Sequence, residues 1–236
     1  YLLNYPLNLL RIAVRPFSLD PDQALANAVV AIGTLALIFA DEPVRDFVQQ
    51  SLRGGFTDFL SDVATPMGDN RVGFGGLFGA YLVGEVAGDR RLKEVGLLGV
   101  QAVAVSQLAV GGLKELTGRK RPNATDDADA FAGPGSNGKS FPSGHAANAF
   151  AIATILDGVY DDWRLSSVAY GFAGLTAFAR INDNKHWLSD VFFGSVLGYA
   201  VGRIVMVTSP FRGGTLLAVV PAIGEDGAGA RLLMRF

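Results

Sequence analysis

Long apolar stretches alternate with short polar segments along most of this chain, and their lengths are typical of helices rather than strands. Six uncharged stretches rich in Ala, Leu, Val, Gly and Phe occur at residues 23–40, 72–84, 95–113, 140–156, 165–179 and 191–202. Asp, Gly and Arg punctuate the intervals between them, and none is bounded by a hairpin turn sequence. The pattern predicts an all-α fold of six helices in an up-and-down bundle.

The segments outside these stretches differ in character. Residues 41–71 are amphipathic in pieces, which predicts a surface helix near 43–53. The loop at 122–138 is irregular, and a loop of that length in a compact helical domain is usually functional or mobile. Two short apolar runs flank Gly-Glu-Asp-Gly within 215–236 and favour a β-hairpin. We expect a single domain over 1–236, with a core at about 22–212, an N-terminal surface segment at 1–21 and a C-terminal tail at 213–236.

The hydropathy of the six stretches leaves two environments open. A helix needs about 20 apolar residues to cross a bilayer, and the stretches at 23–40 and 95–113 reach 18 and 19 residues. Glu85 and Arg203 interrupt two of the shorter ones. An integral membrane bundle is favoured, and a soluble helical protein of the cell envelope is the alternative.

Composition narrows the chemistry. The chain contains no cysteine, which excludes disulfides, thiolate metal sites and cysteine catalysis. A formal net charge of −2 gives no electrostatic reason to expect nucleic-acid binding. Only two histidines occur, and both lie in polar motifs beside apolar stretches. These motifs are therefore the first place to look for catalytic residues.

Three polar motifs lie at corresponding ends of the predicted helices. The first ends the third helix, the second opens the fourth, and the third joins the fifth to the sixth. They are K-x6-R-P with Lys114 and Arg121, P-S-G-H with Ser143, Gly144 and His145, and R-x5-H-x3-D with Arg180, His186 and Asp190. In an up-and-down bundle all three would lie at the same end, so residues far apart in sequence would converge on one pocket.

Such a pocket would bind an anion. Arg121 and Arg180 each offer forked donors to a phosphoryl group, while Lys114 supplies a compact positive charge. Ser143 can donate its hydroxyl, and the Gly144 N–H at a helix N-terminus is open to close approach.

The two histidines would have different roles. If the sixth helix begins near His186, Asp190 shares its face four residues later. A carboxylate that accepts one imidazole N–H leaves the other ring nitrogen free to act as a nucleophile. His145 would then act as general acid toward the leaving oxygen.

Taken one at a time, several of these residues also have a purely structural explanation. The basic residues at 114–121 could complement a helix dipole, and Ser143 could be an N-cap. His186 and Asp190 could form a surface pair. The acidic run at 126–129 is more typical of a solvated loop than of a metal site.

A G-x3-G-x3-G series runs along the sixth predicted helix, formed by Gly194, Gly198 and Gly202. Small residues at this spacing let two helices approach closely, inside a membrane or outside it. We therefore expect tight packing of this helix against a neighbour.

The three motifs, in this order, resemble the signature of the type 2 phosphatidic acid phosphatase superfamily. Its relatives include bacterial non-specific acid phosphatases, lipid phosphate phosphatases and vanadium haloperoxidases. The motifs span residues 114–190, about a third of the chain, and use both of its histidines. One departure is Ala179, which stands where the family usually has Ser before the arginine of the third motif.

The resemblance implies both a fold and a mechanism. The fold would be the helical bundle of this superfamily, and the phosphoryl oxygens would be held by Lys114, Arg121, Ser143, Gly144 and Arg180. His186 would form a phosphohistidine, and Asp190 would orient it. His145 would protonate the leaving alkoxide and then activate water. Neither a metal nor another cofactor is expected.

The implied function is metal-independent hydrolysis of phosphate monoesters or pyrophosphates. Phosphorylated lipids are the favoured substrates because the helices are apolar, and the active site is expected to face the periplasm of a bacterial-type envelope. The alternatives are a soluble periplasmic acid phosphatase acting on small phosphoesters and, with less support, a vanadate-dependent haloperoxidase, whose known chains are typically much larger. A phosphate-binding protein without activity is disfavoured, because binding alone does not need a histidine aligned by a carboxylate.

Overall fold

The fold is that of a helical bundle. A computed structural model describes residues 21–209 and the segments 216–224 and 227–235. Seven α-helices lie within these residues: α1 Pro21–Phe47, α2 Gly55–Gly68, α3 Asn70–Ala87, α4 Arg90–Thr117, α5 Gly144–Tyr160, α6 Trp163–Asn182 and α7 Leu188–Val207. The predicted all-α bundle is confirmed, although the described residues form seven α-helices and not the six expected. The predicted N-terminal surface segment falls outside the described residues, apart from Pro21 at the start of α1, and the division into one domain stays a prediction.

The region at 41–71 differs from the prediction. The surface helix expected near 43–53 is not a separate element, because α1 continues to Phe47 and passes directly into a π-helical segment, Val48–Leu52. Helix α2 follows it, although the sequence analysis predicted no helix over these residues. Its small and polar residues Ser61 and Ala64 are buried, whereas Phe56 and Phe59 are 73% and 60% exposed. This helix therefore buries its small and polar face and exposes its apolar face, the reverse of a helix on the surface of a soluble protein.

Aspartate and glycine residues fix the helix ends. Asp69, Asp89 and Asp162 are the N-caps of α3, α4 and α6, and each accepts a hydrogen bond from the backbone N–H two residues later, at 2.8 to 2.9 Å. Gly88 and Gly118 follow α3 and α4 in the left-handed conformation, with φ of 70° and 57°. These are the polar intervals that separate the apolar stretches in the sequence.

Helix α7 packs so closely against α5 that the backbones of the two helices are in contact. A Cβ atom on Gly194 would collide with the Ser143 carbonyl oxygen, and one on Gly198 would collide with the Ala147 carbonyl oxygen. The close packing expected from the glycine series is confirmed. It also brings the start of α5 beside the start of α7, where the Ser143 N–H donates to the Asp190 carbonyl at 2.9 Å.

Three apolar clusters lie among the described residues, and two of them contain buried side chains larger than alanine. The larger one lies among α3, α4, α5 and α7, and its fully buried members include Leu98, Val103, Val105, Ile155 and Val201. The smaller one lies where α1, α5, α6 and α7 meet, and contains Val48, Ala146, Ala177, Ile181 and Val191. The second cluster contains residues adjacent in sequence to His145 and Arg180, so it supports the end of the bundle that carries the polar motifs.

Within the described part of the chain, three helical stretches are long and apolar enough to cross a membrane: Ala24–Leu52, Arg90–Thr117 and Leu188–Val207. The first exposes a stripe of large apolar side chains that are between 61% and 85% exposed, namely Leu25, Val29, Ile32, Leu35 and Phe39. A face of this size is stable against lipid and unfavourable in water. The three helices suggest an integral membrane protein, the environment favoured from the sequence.

Two strands lie in the C-terminal tail. Strand β1, Leu216–Gly224, runs antiparallel to β2, Gly227–Arg235, with Leu216 opposite Arg235. The intervening residues 225 and 226 lie outside the described residues, so the hairpin turn itself stays a prediction.

Candidate active site

The three polar motifs meet at one end of the bundle. Their residues lie at the C-terminal ends of α4 and α6 and around the first turns of α5 and α7: Lys114, Arg121, Ser143, Gly144, His145, Arg180, His186 and Asp190. His145 has Arg180, His186 and Lys114 among its electrostatic neighbours, and His186 has Asp190, Lys114 and Arg121. The convergence expected from an up-and-down bundle is therefore present.

His186 and Asp190 face one another in the interior. His186 Nδ1 lies 3.5 Å from Asp190 Oδ2, and the two side chains are 4% and 0% exposed. Helix α7 begins at Leu188, two residues after His186, so the imidazole lies just before the helix. The pair still meets because Asp190 lies in the first turn, where its Oδ2 also accepts the Trp187 N–H at 3.0 Å. The alternative of a surface pair is wrong, because both side chains are buried.

Burial, together with the positive charges of Lys114 and Arg121, lowers the pKa of His186 to about 4 against the opposing effect of Asp190. The imidazole is therefore neutral at pH 7. A neutral ring with Nδ1 toward a carboxylate has its lone pair on Nε2, which is the form that can attack an electrophile.

His145 lies in the first turn of α5, as the sequence predicted. Burial lowers its pKa to about 4, and Arg180, His186 and Lys114 contribute in the same direction, opposed by Asp69. Its backbone packs against Gly68 at the end of α2, where a Cβ atom would come within 2.7 Å of the His145 carbonyl oxygen. The end of α2 therefore closes one side of this histidine.

The cations of the site retain capacity to bind an anion. Lys114 Nζ donates to the Lys139 carbonyl at 2.8 Å. Arg180 pairs with Asp183 at 2.5 Å and also contacts Thr65, while its Nε is buried without a protein hydrogen-bond partner. Arg121 has no carboxylate partner among residues 21–209. Three positive charges thus lie near two neutral imidazoles.

Ser143 and Gly144 form the start of α5. The Ser143 side chain is fully buried, and its Oγ accepts the Ala146 N–H at 3.5 Å as the N-cap of the helix. The structure therefore supports the structural role that the sequence left open for this hydroxyl. The Gly144 carbonyl accepts a hydrogen bond from Gln107 Nε2 at 3.2 Å, which fixes the first turn against α4.

Sequence reasoning missed Arg119, which it grouped with the charges at the end of a helix. Its guanidinium is completely buried and lies 2.6 Å from carboxylate oxygens of both Asp41 and Asp190. A weak signal was present: Asp41 is the acidic residue that ends the first apolar stretch. Nothing in the run Arg119-Lys120-Arg121 distinguishes the buried member from the others.

The loop at 122–138 is irregular, as expected, and is fixed to α1. Asp126 pairs with Arg45 at 2.9 Å, and the Ala128 N–H donates to Glu42 at 3.0 Å. The Asp126 side chain is 98% exposed, which is consistent with a solvated acidic run. In the described part of the chain, no group of three or more His, Cys, Asp or Glu side chains is arranged to hold a metal ion.

An apolar groove of about 350 Å³ lies among α3, α5 and α6. On α5 it is lined by Ala149, Ile152 and Leu156, which continue the helix face of His145 at positions four, seven and eleven residues later. On α6 it is lined by residues from Leu165 to Ala173, which precede Arg180 in the same helix. The groove therefore runs along the bundle from the neighbourhood of the polar site.

Comparison with known proteins gives a consistent picture. The family model described as the PAP2 superfamily matches residues 96–213. A lipid A 1-phosphatase from Porphyromonas gingivalis is 35% identical over 108 residues, which cover 43% of this chain and 22% of that protein. The chain thus spans only about a fifth of the length of this relative.

Two solved structures share the fold. The crystal structure of Aquifex aeolicus LpxE superposes with a TM-score of 0.55 at 23% identity, over 71% of this chain and 94% of that one. A transmembrane PAP2 type phosphatidylglycerolphosphate phosphatase from Bacillus subtilis gives a TM-score of 0.54 at 22% identity, over 75% and 92%.

Proposed function

Because the chain belongs to the PAP2 superfamily, we propose that it is a metal-independent phosphatase that hydrolyses lipid phosphate monoesters or pyrophosphates through a phosphohistidine. The observation that carries this proposal is the buried, neutral His186 with Asp190 behind it. Lys114 and Arg121 lie near that imidazole, and Arg180 lies near the second histidine beside it. This is the set of groups that phosphoryl transfer to a histidine requires.

Substrate binding would use the positive charges. Lys114, Arg121 and Arg180 would hold the non-bridging phosphoryl oxygens, joined by the backbone N–H of Gly144 at the start of α5. Ser143 would then contribute mainly by fixing that helix start, because its hydroxyl is already the N-cap. Charge that spreads onto the phosphoryl oxygens in the transition state is stabilised by groups already in place.

In the first chemical step, the Nε2 lone pair of His186 would attack phosphorus. The bond from phosphorus to the leaving oxygen breaks, and that oxygen takes a proton from His145. His145 is neutral in the free protein, but a bound phosphoryl anion would offset the nearby charges of Arg180 and Lys114. The histidine would therefore take up its proton as the substrate binds.

In the second step, water would attack the phosphohistidine. His145, now neutral, accepts a proton from the water as the new phosphorus–oxygen bond forms. The bond from phosphorus to Nε2 breaks, and inorganic phosphate leaves. Asp190 would stabilise the positive charge that His186 carries in the intermediate.

Lipid substrates are supported by the apolar groove. A headgroup held near His145 would place its hydrocarbon chain beside Ala149, at the start of the groove. From His145 to Leu156 the α5 helix rises roughly 16 Å, at about 1.5 Å per residue. Two similar proteins, a lipid A 1-phosphatase and a phosphatidylglycerolphosphate phosphatase, point to the same substrate class. We also propose that the active site faces the periplasm.

The test is a phosphate-release assay on purified protein in detergent, with EDTA present. The panel contains phosphatidic acid, phosphatidylglycerophosphate, lipid A, undecaprenyl pyrophosphate and a water-soluble aryl phosphate. We expect turnover of at least one lipid and slower turnover of the aryl phosphate. Turnover of the aryl phosphate alone would indicate the soluble acid phosphatase activity instead, and no release from any substrate would overturn the proposal.

A further inference from the structure

We propose that Arg119 and Asp41 are positioning residues for the nucleophile, acting on His186 through Asp190. This inference rests on the proposed function, because it assigns a purpose to a buried ion network behind the proposed nucleophile. Neither residue belongs to the set of groups that would touch the substrate.

Arg119 is held by every nitrogen of its guanidinium group. Nη1 donates to Asp190 Oδ1 at 2.6 Å and to Ser189 Oγ at 2.7 Å. Nη2 donates to Asp41 Oδ2 at 2.6 Å and to the Ala128 carbonyl at 2.7 Å, while Nε donates to the same carbonyl at 3.0 Å. A planar fork held at every nitrogen has one orientation, so it defines where Oδ1 of Asp190 must lie.

The other oxygen of Asp190 is thereby directed to the nucleophile. Oδ2 accepts from Ser140 Oγ at 2.5 Å and from the Trp187 N–H at 3.0 Å, and it faces His186 Nδ1. Rotation of the carboxylate would break its contacts on both oxygens at once. The carboxylate plane, and with it the imidazole N–H that Asp190 would accept, is therefore fixed from behind by Arg119.

Asp41 balances the charge of this arrangement. A single guanidinium beside Asp190 would neutralise the carboxylate and weaken its interaction with His186. Asp41 shares that positive charge, so the three groups Asp41, Arg119 and Asp190 carry a formal charge of −1. One negative charge thus remains to stabilise the imidazolium of the phosphohistidine.

The position of Asp41 supports a functional role. It lies within the apolar stretch Ala24–Leu52 and is 0% exposed. An ionisable residue inside a membrane-spanning segment is costly unless it is paired and serves a function. Asp41 is further fixed by Ser189, whose N–H donates to Oδ1 at 2.8 Å and whose hydroxyl donates to Oδ2 at 2.6 Å.

The tautomer of His186 distinguishes a network that orients this ring from one that only holds the helices together. The chain has only two histidines, so ¹⁵N-histidine NMR of the protein in detergent micelles reports both rings. The spectrum of the His145→Gln variant assigns the remaining signals to His186. We expect His186 in the wild-type protein to be the Nδ1–H tautomer at pH 7.

The test compares Asp41→Asn and Arg119→Lys with the wild type. We expect His186 to lose its single tautomer, with both neutral forms populated. We also expect kcat on the best substrate to fall about tenfold or more, while KM changes less than about twofold, because substrate contacts are untouched. A wild-type tautomer together with a wild-type kcat per folded molecule would overturn the proposal.

Glu42→Gln is the matched control. Glu42 is the next residue on α1 and also fixes Ala128, but it contacts neither Arg119 nor Asp190 in the hydrogen bonds that the structure describes. This variant should keep the wild-type tautomer and kcat, although it makes the same change of charge. If it matches Asp41→Asn in both readouts, the effect belongs to the loop and not to the network, and the proposal is wrong.

If Asp41→Asn and Arg119→Lys fail to fold, the Ser189→Ala variant tests the proposal in their place. This smaller change removes a hydroxyl that accepts from Arg119 and donates to Asp41. A shift of the His186 tautomer in the same direction supports the proposal, and an unchanged spectrum overturns it. Because the NMR readout needs no turnover, an inactive wild-type protein would overturn the proposed function without affecting this test.

Discussion

His186 faces Asp190 across 3.5 Å from just outside the helix that carries the carboxylate. The N-cap of α7 is Trp187, so the imidazole precedes the helix and its backbone N–H donates to the Arg180 carbonyl at 3.2 Å. Helical register therefore does not orient the ring. Its orientation depends on Asp190 and on burial, which makes the site sensitive to changes behind the carboxylate.

Stability should fall in mild acid because of His186. Its pKa is about 6.5 when the chain is unfolded and about 4 in the folded protein, so the unfolded state binds the proton more tightly. The contribution of His186 to the free energy of unfolding is fully present above pH 6.5. It is lost as the pH falls toward 4, and the loss is about 3 kcal/mol. Denaturant unfolding in detergent between pH 7.5 and 4 measures it.

The His186→Asn variant is the control for this prediction, because its side chain does not titrate. The difference in unfolding free energy between wild type and variant should shrink as the pH is lowered. A constant difference across the range would show that the folded imidazole titrates normally.

Arg121→Ala should lower kcat/KM by roughly 100-fold or more, since removal of one donor to the transition-state oxyanion costs about 2.7–4 kcal/mol. The neighbouring Lys120→Ala removes the same charge from an exposed side chain that has no described hydrogen-bond partner. Steady-state kinetics on the aryl phosphate should leave Lys120→Ala within about twofold of wild type. Equal losses in the two variants would mean that net charge, and not a contact from Arg121, matters.

Filling the apolar groove should separate lipid from soluble substrates. Gly76 lines the groove and has open space around its Cβ position, so the backbone can carry a larger side chain there, and Gly76→Phe adds a ring at the groove wall. We expect lipid phosphate turnover to fall about tenfold, while aryl phosphate turnover is unchanged. Gly75→Phe adds the same ring one residue away, outside the groove and also in open space, and should affect neither substrate. Equal effects of the two variants on lipid turnover would rule out the groove as the chain-binding surface.

Close packing of α7 on α5 should make the protein sensitive to any side chain at Gly198. A Cβ on Gly198 collides with the Ala147 carbonyl oxygen, so Gly198→Ala should reduce the free energy of unfolding by about 1–3 kcal/mol. Gly171→Ala, on α6 with nothing near its Cβ position, should be neutral or stabilising by up to about 1 kcal/mol because alanine favours helix. Thermal unfolding in detergent measures both signs, and a stabilising Gly198→Ala would contradict the described packing.

The motif residues could be located from the sequence because each motif is tied to a helix end. Lys114 follows an apolar stretch and His145 opens one, so their placement needs only the helix boundaries and the alternation of direction. The contact between His186 and Asp190 was predicted for a different local geometry. The helix starts two residues after His186, yet its first turn still brings the carboxylate to the ring.

Two features could not be predicted, for physical reasons. In α2, Ser61 and Ala64 face inward while Phe56 and Phe59 face outward. The hydrophobic pattern of a water-soluble helix would assign the phenylalanines to the core, so it predicts the wrong buried face for this helix. Arg119 lies between two other basic residues, and only the packing of α1 and α7 around it selects it for burial. Its partners Asp41 and Asp190 are too far away in sequence for any local spacing to reveal the network.

The central claim is that His186 is the nucleophile, and the turnover of His186→Ala tests it most directly. Phosphate release from the best lipid substrate is measured for wild type and variant in detergent with EDTA, and circular dichroism confirms that both are folded. We predict a fall of at least about 1,000-fold in kcat, because the proposed mechanism forms its covalent intermediate on His186 alone. A folded variant that releases phosphate at a rate near that of the wild type would contradict the account.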